Sequence, residues 1–337
     1  MKVAVVLFNL GGPDHLEAVR PFLANLFSDP AIIGLPTPLR QLIARLITAK
    51  RLKTAQKIYT SIGGRSPILE NTQAQARALE KQLNAGSTTQ FKCVVAMRYW
   101  HPFAAGAAHA VKEFAPDQII LLPLYPQFST TTTASSFKAW RRMAKKLKIT
   151  APQKEICCYP EEPGFVKALA DATRVAYAEA GKFGKPRLLF SAHGLPEKIV
   201  KSGDPYAFQC ERTAKALITA LGIENPDWVL CYQSRVGPLR WIGPATDDEI
   251  KRAGCDKVPL VIVPIAFVSE HSETLYELDI LYRELAARSG VPHFARVPTV
   301  GVAPDFINGL TGLVRSALAG KAALCVCPAG FAGCGRE

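Results

Sequence analysis

Short β-branched runs alternate with helical patterns along the chain. Seven runs end in Gly, Pro or polar residues and therefore predict β-strands, at 3–10, 91–99, 118–125, 154–160, 187–196, 228–238 and 258–267. Helical patterns occupy 135–148, 162–181, 204–221 and 272–289. This alternation is typical of parallel sheets covered by helices. We expect an α/β protein made of two doubly wound halves, with a boundary near residue 150.

Polar residues cluster directly behind the predicted strands. In doubly wound sheets, ligands bind at the carboxyl ends of the strands, so these positions are candidates for a site. No GxGxxG or GxxxxGK[ST] spacing is present, which argues against a nucleotide-binding enzyme. The strand-end residues are Asn9, Gly11, Arg98, His101, Tyr125, Gln127, His193, Gln233 and Arg235.

A histidine and an acidic segment follow two strands of the second half. His193 ends a strand in SAHGLP, and Glu270, Glu273 and Glu277 lie in PIAFVSEHSETLYELDI. On an α-helix these three glutamates would fall within about 60° of one another, at some cost from like-charge repulsion. Neutral imidazole accepts protons or binds borderline metals, and carboxylates accept protons or bind hard cations. The pair predicts proton transfer or metal handling, whereas a lone strand-end histidine is usually structural.

The segment 27–59 is an unusual insert after the first strand. Leu39, Leu42, Ile43, Leu46 and Ile47 share one helical stripe, and basic residues surround it. Such a helix can lie in a membrane interface, although packing against the domain is the ordinary alternative. The basic residues are Arg40, Arg45, Lys50, Arg51, Lys53 and Lys57.

Composition and charge narrow the class of protein. The 337 residues are 48% hydrophobic and 20% charged, as in a folded globular protein, and no apolar run reaches membrane-spanning length. Without a small-residue cleavage site, the N-terminus reads as a first strand and not as a signal peptide. A net charge of +13 favours an anionic partner, such as a membrane surface or an acidic small molecule. The basic residues are spread over both halves without a recognised module, so we do not expect nucleic acid.

The nine cysteines are scattered along the chain and odd in number, which argues against a disulfide framework and favours a reducing cytoplasm. Three of them, Cys325, Cys327 and Cys334, lie close together in the tail. Clustered thiolates suit zinc or an iron–sulfur cluster, and either needs a fourth ligand when fully protein-bound. The adjacent pair Cys157 and Cys158 is the obvious source. A free tail is the alternative.

Several sequence blocks resemble the signature blocks of the ferrochelatase family. They are LFNLGGPD, IGGRSPI, MRYWHPF, PLYPQFSTTTTASS, SAHGLPEKIVKSGDPY, YQSRVGPLRWIGPATDDE and PIAFVSEHSETLYELD, in order from residue 7 to residue 279. The resemblance implies the chelatase fold, two Rossmann-like doubly wound domains with parallel four-stranded sheets and a porphyrin cleft between them. It implies domains at 1–150, including an apolar lip at 27–59, and 151–305, followed by a helix and cysteine tail at 306–337.

The resemblance also implies an activity, the insertion of Fe2+ into protoporphyrin IX with release of two protons, which completes haem synthesis. His193 and Glu273 then match the catalytic pair that deprotonates the porphyrin and handles the metal. Glu270, His271 and Glu277 match the metal path. The porphyrin-lining positions are Tyr59, Arg98, Tyr99, Tyr125, Ser129, Trp241 and Phe267.

The tail resembles that of bacterial ferrochelatases with a [2Fe-2S] cluster. The animal pattern has a cysteine where this chain has Thr130, so the implied ligands are Cys158, Cys325, Cys327 and Cys334, with Cys157 as the alternative to Cys158. The lip implies peripheral attachment to the inner face of the plasma membrane. Coproporphyrin ferrochelatase and a non-enzymatic haem carrier or sensor are the rival functions. Whether the chain forms a homodimer is left open.

Overall fold

The computed structural model describes residues 1–235, 237, 239–320, 327–328 and 331–334. Within them the chain forms two four-stranded sheets in which every pairing is parallel. The strands are β1 Lys2–Asn9, β2 Gln90–Met97, β3 Gln118–Pro123, β4 Gln153–Glu155, β5 Arg187–His193, β6 Asp227–Gln233, β7 Leu260–Pro264 and β8 Phe294–Arg296.

The two sheets have the same strand order, β2-β1-β3-β4 and β6-β5-β7-β8. This confirms the predicted α/β class with two doubly wound, parallel four-stranded sheets. The seven predicted strands are all present, and the eighth, β8, was missed because its three residues are too short to show a pattern. In this order successive strands are added first to one side of the sheet and then to the other, and the switch falls between β1 and β3 and between β5 and β7. Ligands bind at such switch points in doubly wound sheets.

Helices connect successive strands. They are α1 Val19–Phe27, α2 Thr37–Ser61, α3 Ile68–Asn84, α4 Ala104–Phe114, α5 Thr133–Lys146, α6 Pro163–Ala180, α7 Glu197–Lys201, α8 Tyr206–Leu221, α9 Thr246–Asp256, a π-helix Glu273–Tyr282, α10 Arg283–Arg288 and α11 Pro304–Leu318. No helix in the described part of the chain is long and apolar enough to cross a membrane.

Contacts divide the chain into two compact units. The first comprises Met1–Tyr125, Ser129–Cys157 and the described residues from 311 to 320, and the second comprises Pro126–Phe128, Cys158–Leu310 and the described residues from 327 onward. The domain boundaries near 150 and 305 stay predictions, since they rest on the sequence pattern and not on these contacts.

Each sheet buries apolar side chains against its helices. In the first unit, residues 3–8 of β1 are all at most 1% exposed, and Phe8 meets the edges of Phe137 and Trp140 from α5. In the second unit, β5 and β7 pack on α9 and the π-helix through Leu189, Ile262 and Leu278. Burial of a side chain of this size contributes about 1.5–3 kcal/mol each. The packed sheets therefore give rigid supports for the loops at their carboxyl ends.

Candidate active site in the second unit

The predicted catalytic residues lie at the carboxyl ends of the central strands β5 and β7. His193 is the last residue of β5, and a short loop after β7 leads into the π-helix, whose first residue is Glu273. Because β5 and β7 are hydrogen-bonded neighbours and run parallel, their carboxyl ends meet at one edge of the sheet. The fold thus brings together two residues that lie 80 positions apart in the sequence.

Glu273 lies between two histidines. Its Oε1 atom is 3.6 Å from His193 Nε2, and its Oε2 atom is 3.4 Å from His271 Nε2. The His193 side chain is 40% exposed and that of Glu273 is 24% exposed, whereas His271 is buried. The trio therefore has a buried end at His271 and an accessible end at His193.

The tautomer of both histidines follows from their second ring nitrogen. His193 Nδ1 lies 2.6 Å from the carbonyl oxygen of Gly194, and His271 Nδ1 lies 3.0 Å from that of Ser269. A carbonyl oxygen only accepts, so each Nδ1 carries the hydrogen. In neutral His193 the Nε2 lone pair is then free to take a proton, and the nearby Glu273 carboxylate stabilises the resulting imidazolium.

The electrostatics of Glu273 favour the carboxylate. Burial raises the pKa of Glu273, but attraction to His193 and the hydrogen bond and charge of His271 outweigh it and lower the pKa to about 2. Burial conversely lowers the pKa of His271, and the hydrogen bond and charge of Glu273 more than offset this, so the pKa of His271 is raised. Glu273 is therefore a fixed negative charge at neutral pH and a poor proton acceptor.

Glu277 lies one turn further along the π-helix and is held by hydrogen bonds. Its carboxylate accepts from the Ser234 backbone N–H at 2.7 Å, from the Ser234 hydroxyl at 2.5 Å and from the Tyr282 hydroxyl at 3.1 Å. Burial is the largest influence on the pKa of Glu277, and with repulsion from Glu273 it raises that pKa despite the bonds from Ser234. Glu277 is consequently the carboxylate of this site that takes up a proton most readily.

The interpretation of Glu270 as part of a helical stripe is wrong. The helix begins at Glu273 and its first ten residues are a π-helix, so Glu270 lies in the preceding loop. Arg296 from β8 donates to Glu270 Oε1 at 2.6 Å and also binds Asp279. Burial raises the pKa of Glu270, but Arg296 and hydrogen bonds more than offset this and lower it. One largely buried arginine thus offsets the negative charges of Glu270 and Asp279, whereas the repulsion between Glu273 and Glu277 remains.

A glycine allows the loops after β5 and β6 to approach closely. A Cβ on Gly194 would lie 2.8 Å from the Gln233 carbonyl oxygen and 3.1 Å from the Trp241 ring. The chain around Trp241 pairs with the loop that follows His193, through hydrogen bonds from Glu197 to Arg240 and from Ile242 to Leu195. Trp241 is therefore fixed against Gly194, the residue after His193, and its role in porphyrin binding stays a prediction. Phe267 lies next to His271, and the centroids of the two rings are 4.7 Å apart.

The other predicted porphyrin-lining residues belong to the first unit. Tyr59 and Tyr99 are 6% and 1% exposed and pack in one apolar cluster with α1 and α2. Arg98 and the Tyr99 hydroxyl both bind the buried Asp29, at 2.6 and 2.8 Å. Tyr125 is half-buried and Ser129 is buried. Their role in porphyrin binding stays a prediction.

Helix α2 forms most of the segment 27–59 and exposes an apolar stripe. Leu39, Leu42 and Leu46 are 48%, 55% and 62% exposed, whereas Ile43 and Ile47 are half-buried. The predicted stripe is therefore split, because Ile47 packs on the domain and three leucines face solvent. One face of the helix therefore packs on the domain, and membrane attachment through the other face stays a prediction.

Two of the predicted cluster ligands lie beside the same side chain. The Gln209 amide nitrogen is 3.3 Å from Cys158 Sγ and 3.1 Å from Cys327 Sγ. Cys158 and Cys327 are buried, Cys157 and Cys334 are half-buried, and Cys325 lies outside the described residues. Among the residues that the structure describes, no three His, Cys, Asp or Glu side chains are spaced to hold a metal ion.

The sequence did not reveal three residues that hold the site together, Ser234, Tyr282 and Arg296. Ser234 follows β6 directly, so its strand-end position was a usable signal, as it was for Gln233. Arg296 had no such signal, because it binds Glu270 through a tertiary contact that no local pattern encodes. Tyr282 had none because its bond to Glu277, five residues away, follows the spacing of a π-helix and not that of an α-helix.

Comparison with known proteins agrees with the resemblance of the sequence blocks. A ferrochelatase family model matches residues 2–318. The ferrochelatase of Phenylobacterium zucineum is 55% identical over 319 residues, covering 94% of this chain and 92% of that protein. The ferrochelatase of Caulobacter vibrioides is 54% identical over 322 residues, covering 95% of this chain and 91% of that protein. Among solved structures, SirB from Bacillus subtilis with Fe3+ has a TM-score of 0.53 at 14% identity, covering 95% and 96%, which shows a shared fold.

Proposed function

We propose, from the premise that this chain belongs to the ferrochelatase family and inserts Fe2+ into a porphyrin as an enzyme of haem synthesis, that its substrate is protoporphyrin IX and that His193 and Glu273 are its catalytic pair. The observation that carries the pair is the approach of His193 Nε2 to Glu273 Oε1, 3.6 Å apart at the carboxyl edge of the central strands.

Insertion exchanges two pyrrole protons for one dication. The site must therefore accept protons on one side and supply a partly dehydrated metal on the other. His193 is the proton acceptor in this proposal, because its Nε2 lone pair is free and its ring is the accessible end of the trio. Glu273 keeps its negative charge and stabilises the imidazolium. General base catalysis of this kind typically contributes about 10²–10⁴-fold in rate.

Glu277 continues the metal path behind Glu273. Carboxylate oxygens are hard ligands suited to a divalent cation, and the bonds from Ser234 and Tyr282 fix this carboxylate in place. His271 orients Glu273 from its buried side. Glu270 belongs to the path only indirectly in this account, since its charge is matched by Arg296. Trp241 and Phe267 are the proposed porphyrin contacts of the second unit, and Tyr59, Arg98, Tyr99, Tyr125 and Ser129 those of the first.

The exposed leucines of α2 support an apolar porphyrin delivered at a membrane surface. Protoporphyrin IX carries two propionates and is poorly soluble in water, whereas coproporphyrin carries four. We propose that the lip attaches this enzyme peripherally to the inner face of the plasma membrane, from the cytoplasm. Anionic headgroups would meet the exposed basic residues that surround the stripe.

The porphyrin is tested by comparing initial rates of anaerobic Fe2+ insertion into the two porphyrins. We expect a higher kcat/KM with protoporphyrin IX, and a preference for coproporphyrin III would overturn the assignment. Stoichiometric haem binding without insertion into either porphyrin would instead favour the carrier function.

A resident [2Fe-2S] cluster is a separate proposal, held by Cys158, Cys325, Cys327 and Cys334. It is supported by the convergence of Cys158 and Cys327 on Gln209, which favours Cys158 over Cys157 as the fourth ligand. The cluster would supply structural or redox-sensing chemistry outside metal insertion. Acid-labile sulfide in anaerobically purified protein, with visible absorbance other than that of haem, tests it, and absence of sulfide would contradict it.

A further inference from the structure

Gln209 is a fully buried glutamine in the first turn of α8, and its amide group contacts two sulfur atoms. Its Nε2 atom lies 3.3 Å from Cys158 Sγ and 3.1 Å from Cys327 Sγ. Gln209 is 0% exposed, Cys158 5% and Cys327 1%. A buried amide costs free energy unless its polar atoms are hydrogen-bonded, so these contacts are part of what makes the position tolerable.

The orientation of this amide is fixed by its oxygen. Gln209 Oε1 accepts a hydrogen bond from the backbone N–H of Phe128 at 2.7 Å. An N–H group only donates, so the oxygen must face Phe128 and the NH2 group must face the sulfurs. Both hydrogens of the NH2 group are then directed at sulfur, one at each cysteine.

This arrangement requires sulfur to act as the acceptor twice. A protonated thiol is a weak acceptor, whereas a thiolate carries the charge that strengthens an N–H hydrogen bond. Cysteines that bind a metal are deprotonated, and hydrogen bonds to their sulfurs are one means by which proteins set the potential of iron–sulfur clusters. The Gln209 amide therefore suits metal-bound sulfurs better than two free thiols.

Other described residues of the tail dock on the same helix start. The Gly333 N–H donates to the Gly203 carbonyl oxygen at 3.0 Å, and the Phe331 ring lies 5.2 Å from that of Phe208. A Cβ on Gly203 would lie 2.9 Å from the Ala332 nitrogen, so only glycine permits this approach. Cys334 thus belongs to a segment that packs on the loop before α8 and on Phe208, the residue that precedes Gln209.

We propose that Gln209 is a positioning residue for the [2Fe-2S] cluster, holding the sulfurs of Cys158 and Cys327 through its two N–H groups and stabilising the reduced cluster. This inference rests on the cluster proposed above. Reduction places additional negative charge on the cluster and its sulfurs, so donors directed at them stabilise the reduced form more than the oxidised form.

The experiment uses the full-length protein, purified anaerobically, and two substitutions at this position. Gln209→Leu keeps the approximate volume and removes both donors. Gln209→Glu keeps the oxygen that accepts from Phe128 and directs a carboxylate oxygen at the sulfurs. Gln127→Leu is the matched control, because Gln127 is also buried but its amide nitrogen donates to oxygen atoms, the Thr213 hydroxyl of α8 at 2.9 Å and the Ile265 carbonyl at 3.1 Å.

We expect both Gln209 variants to have a more negative cluster potential by redox titration of the visible spectrum. Loss of the cluster to the chelator EDTA should be roughly tenfold faster or more, the size typical for removing a partner of a metal ligand, and fastest in Gln209→Glu. Gln127→Leu should match the wild type in both measurements.

An unchanged potential and unchanged loss rate in a folded, cluster-containing Gln209 variant would overturn the inference while leaving the cluster in place. A wild-type protein without acid-labile sulfide would overturn the cluster itself, and this inference with it. If Gln209→Leu does not fold, Gln209→Glu decides, because it preserves the bond to Phe128. If neither folds, the reduced wild-type cluster decides, since pulsed EPR must detect exchangeable protons of a glutamine side chain coupled to it.

Discussion

The approach of His193 to Glu273 was predictable because each lies at or beyond the carboxyl end of a strand that the hydrophobic pattern reveals. His193 ends β5, Glu273 follows β7 after the loop 265–272, and parallel pairing of the two strands brings such residues to one edge. The sequence could not reveal that the Glu273 carboxylate lies within 4 Å of both His193 and His271, because these distances depend on the conformation of the loop after β7. The low pKa of Glu273, about 2, is a property of that tertiary arrangement.

The same carboxylate predicts how stability depends on acid. A pKa that is lower in the folded protein than in the unfolded chain contributes stability above the unfolded value, here 4.5, and that contribution is lost as pH falls toward about 2. Between pH 5 and pH 3, wild type should therefore lose more unfolding free energy than Glu273→Gln, by on the order of 2 kcal/mol. Urea unfolding at several pH values measures the difference. Parallel losses in the two proteins would show that Glu273 is not the carboxylate responsible.

At the scale of elements, the π-helix depends on an arginine from a strand that the sequence did not reveal. Arg296 is 11% exposed in its side chain and binds Glu270 before the helix and Asp279 within it. Removing Arg296 takes away the guanidinium that binds both acids and leaves Asp279 only its longer pair with the exposed Arg283. Arg296→Gln should lower the unfolding free energy by about 3 kcal/mol.

Arg283→Gln is the control for this prediction. Arg283 also pairs with Asp279, at 3.5 Å, but its side chain is 52% exposed. An exposed pair of this kind contributes less than about 1 kcal/mol. Equal costs for the two substitutions in urea unfolding would mean that Arg296 does not hold the helix.

The lip helix gives a second prediction at this scale. Replacing Leu39, Leu42 and Leu46 with serine removes exposed apolar surface without touching the half-buried Ile43 and Ile47. We expect cosedimentation with vesicles of anionic phospholipid to fall several-fold, because interfacial binding scales with buried apolar area. The matched control replaces Val175, Phe183 and Val302, which are likewise exposed, with serine. A similar fall in both triple variants, or none in either, would count against the lip.

At the scale of the whole molecule, the sequence predicted the fold class and both sheets. Strand periodicity is local, and the alternation of strands with helices restricts the topology to parallel sheets. The π-helix and β8 were not predicted. A change from α-helix to π-helix hardly alters the spacing of apolar residues, and a three-residue strand is too short to show an alternating pattern. The ion pairs of Arg296 and the contacts of Gln209 were not predicted for a different reason, because they join residues that lie far apart in the chain.

We propose that His193 and Glu273 perform insertion while other residues bind the porphyrin. This proposal is tested most directly by anaerobic Fe2+ insertion into protoporphyrin IX by wild type, His193→Ala and Glu273→Gln, with porphyrin affinity measured alongside by fluorescence quenching. His109→Ala is the control, because His109 is exposed on α4. We predict that kcat falls by about 10²-fold or more in both site variants while porphyrin affinity and the control stay near wild type. Near wild-type turnover in both site variants would contradict the account.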